Sequence, residues 1–158
     1  MIAIRKFQSG DEAELYKIFH EAVHIINARD YSQEQLDAWA PAKNNNEASW
    51  RDSLLNNHTF VAVDTQKGII VGFIDIQNDG YIDRLYIRPG YTDGRVALLL
   101  YRQIEYRAKE IGITELFANV SITAKPVLEF MRFTTEAEQV VYKNGVSFIN
   151  YRMRKCIV

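Results

Sequence analysis

Cysteine is nearly absent from the 158-residue chain. The only one, Cys156, is third from the C-terminal end, so no internal disulfide can form and a reducing compartment is expected. No apolar run approaches the roughly 18 residues of a membrane span, and the opening MIAIRKFQSGDEAE lacks the apolar stretch of a secretory signal. A cytoplasmic location follows as an expectation. There is no excess of one charge either. Nineteen Lys and Arg face 20 Asp and Glu, a net charge of −1, which argues against a dedicated nucleic-acid or membrane-surface protein. A local basic patch around a phosphate stays compatible with that balance. Three prolines and eight glycines leave no linker or low-complexity tract, so residues 1–158 are expected to form one domain.

What is present is an ordinary globular composition, 47% hydrophobic and 12% aromatic, with a change of period part-way along. Residues 2–7 alternate as a short strand. Ser9-Gly10-Asp11-Glu12 reads as a capping box, followed by a helix with Leu15, Phe19, Ala22 and Ile26 at helical spacing. A second box, Ser32 to Gln35, opens a short helix ended by Pro41, and 47–55 forms another. From residue 59 the pattern becomes that of strands: 59–64, 69–77 and, after the Asn78-Asp79-Gly80 turn, 81–88. A helix over about 94–111 carries Ala97, Leu100, Ile104, Ala108 and Ile111 on one face and stops at Gly112. A strand at 114–120, a short helix at 124–132 and a hairpin around Asn144-Gly145 complete the chain. Segment 81–120 is a βαβ unit, so its two strands are expected to be parallel within a mixed central sheet, an α/β (α+β) fold.

Two local motifs carry chemistry. His20-Glu21-Ala22-Val23-His24 satisfies H-E-x-x-H, in which two histidines one turn apart bind zinc. No clear third ligand follows it, and two histidines flanking an apolar stripe is the simpler reading, so no metal is expected. The other is the turn Arg88-Pro89-Gly90-Tyr91-Thr92-Asp93-Gly94-Arg95 into a helix. Unpaired amides and the positive helix end there make a site for a pyrophosphate.

The run Leu85-Tyr86-Ile87-Arg88-Pro89-Gly90-Tyr91, the helix 96–111 and the stretch Val120 to Phe133 together resemble the GCN5-related N-acetyltransferases. The likeness covers nearly the whole chain and is most specific over 81–133; the first fifty residues resemble a bacterial small-protein branch. It implies acetyl-CoA as acyl donor and an amine, small-molecule or peptide, as acceptor; homodimerisation is compatible with it. In that family the strand matching 81–88 splays from its parallel neighbour. The resemblance therefore implies backbone contacts from Leu85, Tyr86 and Ile87 to pantetheine, and phosphate contacts from the backbone amides of Thr92, Asp93, Gly94, Arg95, Val96 and Ala97. Arg88 is a further cation for phosphate, and Ser121 and Ala124 match positions of the family's next motif.

The departures are specific. The family's turn, Gln/Arg-x-x-Gly-x-Gly/Ala, here reads Thr92-Asp93-Gly94-Arg95-Val96-Ala97, of which only Ala97 fits. Arg95 replaces a glycine that lets phosphate reach the backbone, so its side chain either obstructs the site or binds phosphate itself. Leu128 stands where a tyrosine often protonates the departing thiolate, which leaves Tyr142, Tyr151 or water for that task. Alternation groups Tyr81, Asp83, Leu85 and Ile87 on one strand face, which makes Asp83 the expected general base. His24, Tyr31 and Trp39, with Trp50 nearby, are the expected acceptor-binding residues. A non-catalytic acyl-CoA-binding or protein-interaction module of the same fold is the rival reading.

Overall fold

The computed structural model describes all 158 residues, and the change of period near residue 58 marks its main structural boundary. Before it come β1 (Ile2–Lys6) and three helices, α1 (Glu12–Glu21), α2 (Gln33–Trp39) and α3 (Glu47–Asn56). After it come β2 (His58–Asp64), β3 (Ile69–Ile76), β4 (Ile82–Ile87), α4 (Arg95–Glu110), β5 (Glu115–Ser121), α5 (Lys125–Phe130), β6 (Thr134–Lys143) and β7 (Val146–Cys156). No helix is long and apolar enough to cross a membrane.

The two expected capping boxes differ in outcome. Ser32 accepts from the Gln35 amide at 3.2 Å and the Gln35 side chain accepts from the Ser32 amide at 2.8 Å, a reciprocal cap on α2. At α1 the expected box at Ser9 does not form. The N-cap is Asp11, without a side-chain cap bond. Its carboxylate accepts from Arg5 at 2.8 and 3.1 Å and from the Gln8 amide at 2.9 Å. A charge-assisted pair with Arg5 outcompetes a neutral hydroxyl cap. Beyond α1 the helix widens into a π-turn over Ala22–Ile26 and tightens into a 3₁₀ turn over Asn27–Arg29. This irregularity, of a kind often found at functional sites, is invisible in the apolar spacing.

The strands form two antiparallel sheets, β1-β2-β3-β4 and β5-β7-β6. The expected parallel pairing of β4 with β5 shrinks to one bridge, Tyr81 with Phe117, with the Phe117 amide donating to the Gly80 carbonyl at 3.1 Å. Gly80 makes that approach possible. It lies at φ +95°, and a Cβ there would stand 2.3 Å from the Glu115 carbonyl oxygen. Beyond the bridge the two strands diverge, and the mixed sheet is split at this point.

Each face of the first sheet has its own core. Leu15, Ile18, Phe19 and Val23 pack with Leu36, Leu54, Val61 and Phe73 on the side of α1–α3. Val96, Ala97, Leu100, Tyr101, Ile104 and Ala108 of α4 pack against Val71, Ile74 and Ile76 on the other. Burying one such aliphatic side chain is worth about 1.5–3 kcal/mol, so the α4 stripe alone clamps that helix across the sheet. Ala97, Leu100, Ile104 and Ala108 of the expected face are buried, whereas Ile111 is the C-cap and only partly covered.

Register corrects the expected strand face. Ile82 pairs with Ile76 and Arg84 with Asp75, which leaves Asp83 as the extra residue of a β-bulge. Ile82, Leu85 and Ile87 therefore face the α4 core, and Arg84 and Tyr86 face the α1–α3 side. Asp83 is not aligned with Leu85 and Ile87, because the bulge shifts the alternation at that residue.

Candidate active site

The divergence of β4 from β5 opens a cleft of about 380 Å³ between the sheets. Its β4 wall includes an unpaired strand edge. The Arg88 amide donates to the Val71 carbonyl at 2.7 Å, and alternation along an antiparallel ladder turns the N–H and C=O of Leu85 and Ile87 to the open side. Tyr86 pairs with Phe73, so its backbone faces β3. Tyr86 therefore presents a side chain to the cleft and not the backbone contact expected of it. Ser121 and Ala124 line the opposite wall, where the Ser121 hydroxyl accepts from the Ala124 amide at 3.0 Å. Leu128 lines the cleft as well, a buried side chain with no proton to give.

At one end the cleft meets the N-terminus of α4. Thr92, Gly94 and Ala97 line it. Gly94 is the N-cap at φ +94°, and nothing lies within 4 Å of where its Cβ would be. The first intrahelical bond runs from Leu98 to Gly94, and Asp93 accepts from the Arg95 amide at 3.1 Å. The amides of Val96 and Ala97 consequently have no partner in the protein, two open donors at a positive helix end.

Two side chains expected as cations for this turn, Arg88 and Arg95, do not reach it from the cleft side. Asp93 and Arg95 line a separate hollow with Met1, Ile2 and Asp64 on the outer side of α4. The Asx-type turn at Asp93 rotates both side chains away, so Arg95 neither fills the cleft nor projects into it. Arg88 pairs with Glu14, lies 3.6 Å from Glu21, and donates to the Ile70 carbonyl at 3.1 Å. Two α1 carboxylates hold that guanidinium on the helical face of the sheet. The side chain of Val96 is buried in the α4 core, leaving only its amide for a ligand.

The far end of the cleft is walled by the helical region. Trp39 lines it and donates from its indole to the Tyr86 hydroxyl at 3.3 Å. Tyr31 and His24 do not line it. The Tyr31 hydroxyl donates to the Ile149 carbonyl at 2.8 Å and accepts from the Ile122 amide at 3.0 Å, stitching the helical region to β7 and the end of β5. His24 stacks on His20 with centroids 4.2 Å apart, and its Nε2 lies 2.7 Å from the Ala40 carbonyl. No cluster of three His, Cys, Asp or Glu side chains accompanies the pair. Trp50 donates to the Glu12 carbonyl and lies beneath the Arg84 guanidinium, outside the cleft.

Electrostatics at the bulge centre on two carboxylates. Asp83 lines the cleft, about one-third exposed, with the Arg84 guanidinium 3.8 Å away. Asp75 is completely buried on the helical side of β3. Burial pushes its carboxyl up to about 6, although the Arg84 charge pulls the other way. Of the two it is Asp75 that sits in the apolar, charge-suppressing environment. Burial also raises the Tyr86 hydroxyl above the ordinary phenol value, so it stays protonated. Tyr142 is mostly exposed, and Tyr151 donates to Glu138 at 3.1 Å. Neither lines the cleft.

The acetyltransferase (GNAT) domain family matches residues 27–155. The chain belongs to this family. The GNAT chain is 35% identical over 153 residues to the uncharacterized N-acetyltransferase YafP of Escherichia coli K12, covering 97% of this chain and 95% of that one. Its fold superposes on a GCN5-related N-acetyltransferase from Rhodopseudomonas palustris with a TM-score of 0.91 at 29% identity, covering 98% and 94% of the two chains. It also matches the fold of PaiA N-acetyltransferase from Thermoplasma acidophilum, solved in complex with coenzyme A, at a TM-score of 0.75 and 21% identity over 99% of each chain.

Sequence reasoning missed several residues lining this GNAT cleft. Asn27 is buried where the helix tightens, and donates to the Ser121 hydroxyl at 3.4 Å. Tyr101 lines the cleft from α4, and Asn119 from β5. The α4 spacing could have exposed Tyr101, one residue after Leu100 on the apolar stripe. Nothing local marks Asn27.

Proposed function

We propose that this protein is an acetyl-CoA-dependent N-acetyltransferase of the cytoplasm, acting on a small-molecule or peptide amine. One observation carries the reading: the open β4 edge at Leu85 and Ile87 runs down to the two free amides at the start of α4. A donor with amides along its arm and a pyrophosphate at its base is complementary to that sequence of groups. The family supports the same chemistry, and the coenzyme A complex of the PaiA relative supports the class of donor.

The roles follow from the groups present. Leu85 and Ile87 pair their free backbone groups with the pantetheine amides. The amides of Val96 and Ala97, beside the side-chain-free surface of Gly94, hold the pyrophosphate, with Thr92 at the rim. Ser121 and Ala124 form the facing wall. Trp39 bounds the acceptor's approach from the α2 side. Asp83 takes the proton of the attacking ammonium, directly or through a water, since it lines the cleft at the bulge and its side chain is about one-third exposed. With the amine neutral, its lone pair attacks the thioester carbonyl, the C–N bond forms, and the C–S bond breaks as the thiolate leaves. Leu128 has no proton for that thiolate, so the surplus proton of the new amide nitrogen reaches it through water.

Leu128 also favours a second reading, an acyl-CoA-binding module without turnover. One titration separates the readings. Thermal unfolding is followed with acetyl-CoA, coenzyme A and zinc, and thioester cleavage is then assayed against a panel of amines. Free acetyl-CoA at 100 times its dissociation constant should add about 2.7 kcal/mol of stability. Stabilisation without turnover selects the binding module. No response to millimolar acetyl-CoA overturns both, and stabilisation by zinc alone selects a metal hydrolase.

A further inference from the structure

Six side-chain hydroxyls line the cleft, and their hydrogen bonds divide them. Tyr91 donates to Asp64 at 2.7 Å, Tyr101 to Glu105 at 3.3 Å and Thr123 to Asp30 at 2.7 Å, so these three protons are committed to carboxylates. Thr92 is exposed at the α4 turn, at the opposite end from the acceptor wall. Ser121 accepts from Ala124 and Asn27, across the cleft from the β4 edge. Tyr86 alone is a phenol whose oxygen is already fixed by a donor, the Trp39 indole at 3.3 Å, and whose own proton has no acceptor in the protein.

Its placement is equally specific. Tyr86 lies between Leu85 and Ile87, the residues with free backbone edges, and its ring is wedged at 4.8 Å edge-on to Phe19 and 5.8 Å from Phe73. A phenol locked by two aromatic contacts and one incoming hydrogen bond loses little rotamer freedom when it donates its proton. Along a donor seated with its phosphates at residues 92–97, the thioester end points toward the N-terminal half of β4, where Asp83 and Arg84 line the cleft, with Tyr86, another lining residue, two positions further along the strand.

From this arrangement we infer that the Tyr86 hydroxyl is a catalytic hydrogen-bond donor to the thioester carbonyl oxygen, held in place by Trp39. The inference rests on the acetyl-CoA reading above. As the amine adds, negative charge gathers on that oxygen, and a preorganised neutral donor stabilises the tetrahedral state more than the ground state. Tyr86 transfers no proton. The hydrogen bond strengthens during addition and relaxes when the C–S bond breaks and the carbonyl re-forms. Because burial keeps the phenol protonated, the effect is constant across neutral pH.

The test needs no known acceptor. Acetyl-CoA labelled with ¹³C at the carbonyl is bound to the wild-type protein, Tyr86→Phe, Trp39→Phe and Ser121→Ala, and the carbonyl stretch is read by isotope-edited infrared difference spectroscopy. Dissociation constants are measured on the same samples. The bound wild-type carbonyl should absorb at lower frequency than free acetyl-CoA, unchanged from pH 6 to 9. Tyr86→Phe should lose most of that shift while binding acetyl-CoA within about threefold of wild type, Trp39→Phe should broaden the band, and Ser121→Ala should leave it intact. A shift that survives in Tyr86→Phe, or vanishes only in Ser121→Ala, overturns the inference. Failure of the wild-type protein to bind acetyl-CoA overturns instead the functional reading beneath it. Should Tyr86→Phe not fold, Trp39→Phe decides: a band with the wild-type position and width in that variant rejects the role of Tyr86.

Discussion

The guanidinium of Arg84 sits 2.6 Å from one carboxylate oxygen of Asp75, buried between adjacent strands. The same oxygen accepts from Arg84 Nε at 2.9 Å and from Asn57 at 3.1 Å, while the other oxygen has no partner at all. Arg84 is also held by Ser53 at 2.9 Å and lies 4.9 Å above the Trp50 ring. This anchor fixes the strand immediately beside Asp83, and with Ile82 pinned opposite Ile76 it makes Asp83 the residue that must bulge.

The buried pair should impose a pH dependence on folding. Burial raises the Asp75 carboxyl from 3.8 to about 6. Between those values the folded protein holds a proton that the unfolded chain has released, so stability from this group is fully present at the acid end and is lost as pH rises through about 6. The loss is about 3 kcal/mol at most. Denaturant unfolding of wild type and Asp75→Asn from pH 4 to 8 isolates it. The difference between the two curves should change across that window and be flat above pH 7; a difference independent of pH rejects the assignment.

Asp83→Asn retains shape and removes basicity. Turnover should fall by about 10²–10⁴-fold. Since Asp83 is partly exposed and its nearest cation is 3.8 Å away, stability should change by less than about 1 kcal/mol. Near-normal turnover with a lowered melting temperature would make Asp83 structural.

Arg95→Ala should alter coenzyme A affinity by less than about threefold, under 1 kcal/mol, and Arg95→Gly should not tighten it. Both expectations follow from the side chain lining the outer hollow and not the cleft. A tenfold weakening in calorimetric titration would show that Arg95 swings round to the phosphate.

Tyr31→Phe removes two hydrogen bonds at a buried junction, to Ile149 and from Ile122. It should cost about 1–3 kcal/mol of stability and leave the acceptor KM within about twofold of wild type. A selective rise in that KM, with stability intact, would return Tyr31 to the acceptor site.

The sequence by itself determined the element order, the α4 apolar face, the Ser32–Gln35 cap and the turn at Asn144-Gly145, where φ is +49° and +79°. Each depends on residues within a few positions of one another, so period and capping chemistry suffice. The turn at 92–97 into the start of α4 was legible for the same reason. Only the tertiary structure decided which way its side chains point. Arg88 is claimed by Glu14 and Glu21 of a helix some seventy positions away, and Asp93 caps Arg95 on the outer side. The bulge at Asp83 depends on Asp75 gripping Arg84 across a strand pair, which strict alternation cannot foresee. Tyr86 passed for a backbone contact because adjacent strand residues look alike until ladder pairing sets which backbone edge is free. The split between β4 and β5 was decided in the same way, where the two strands meet at Gly80 and Phe117 and then part, since nothing local states how far a parallel neighbour will follow.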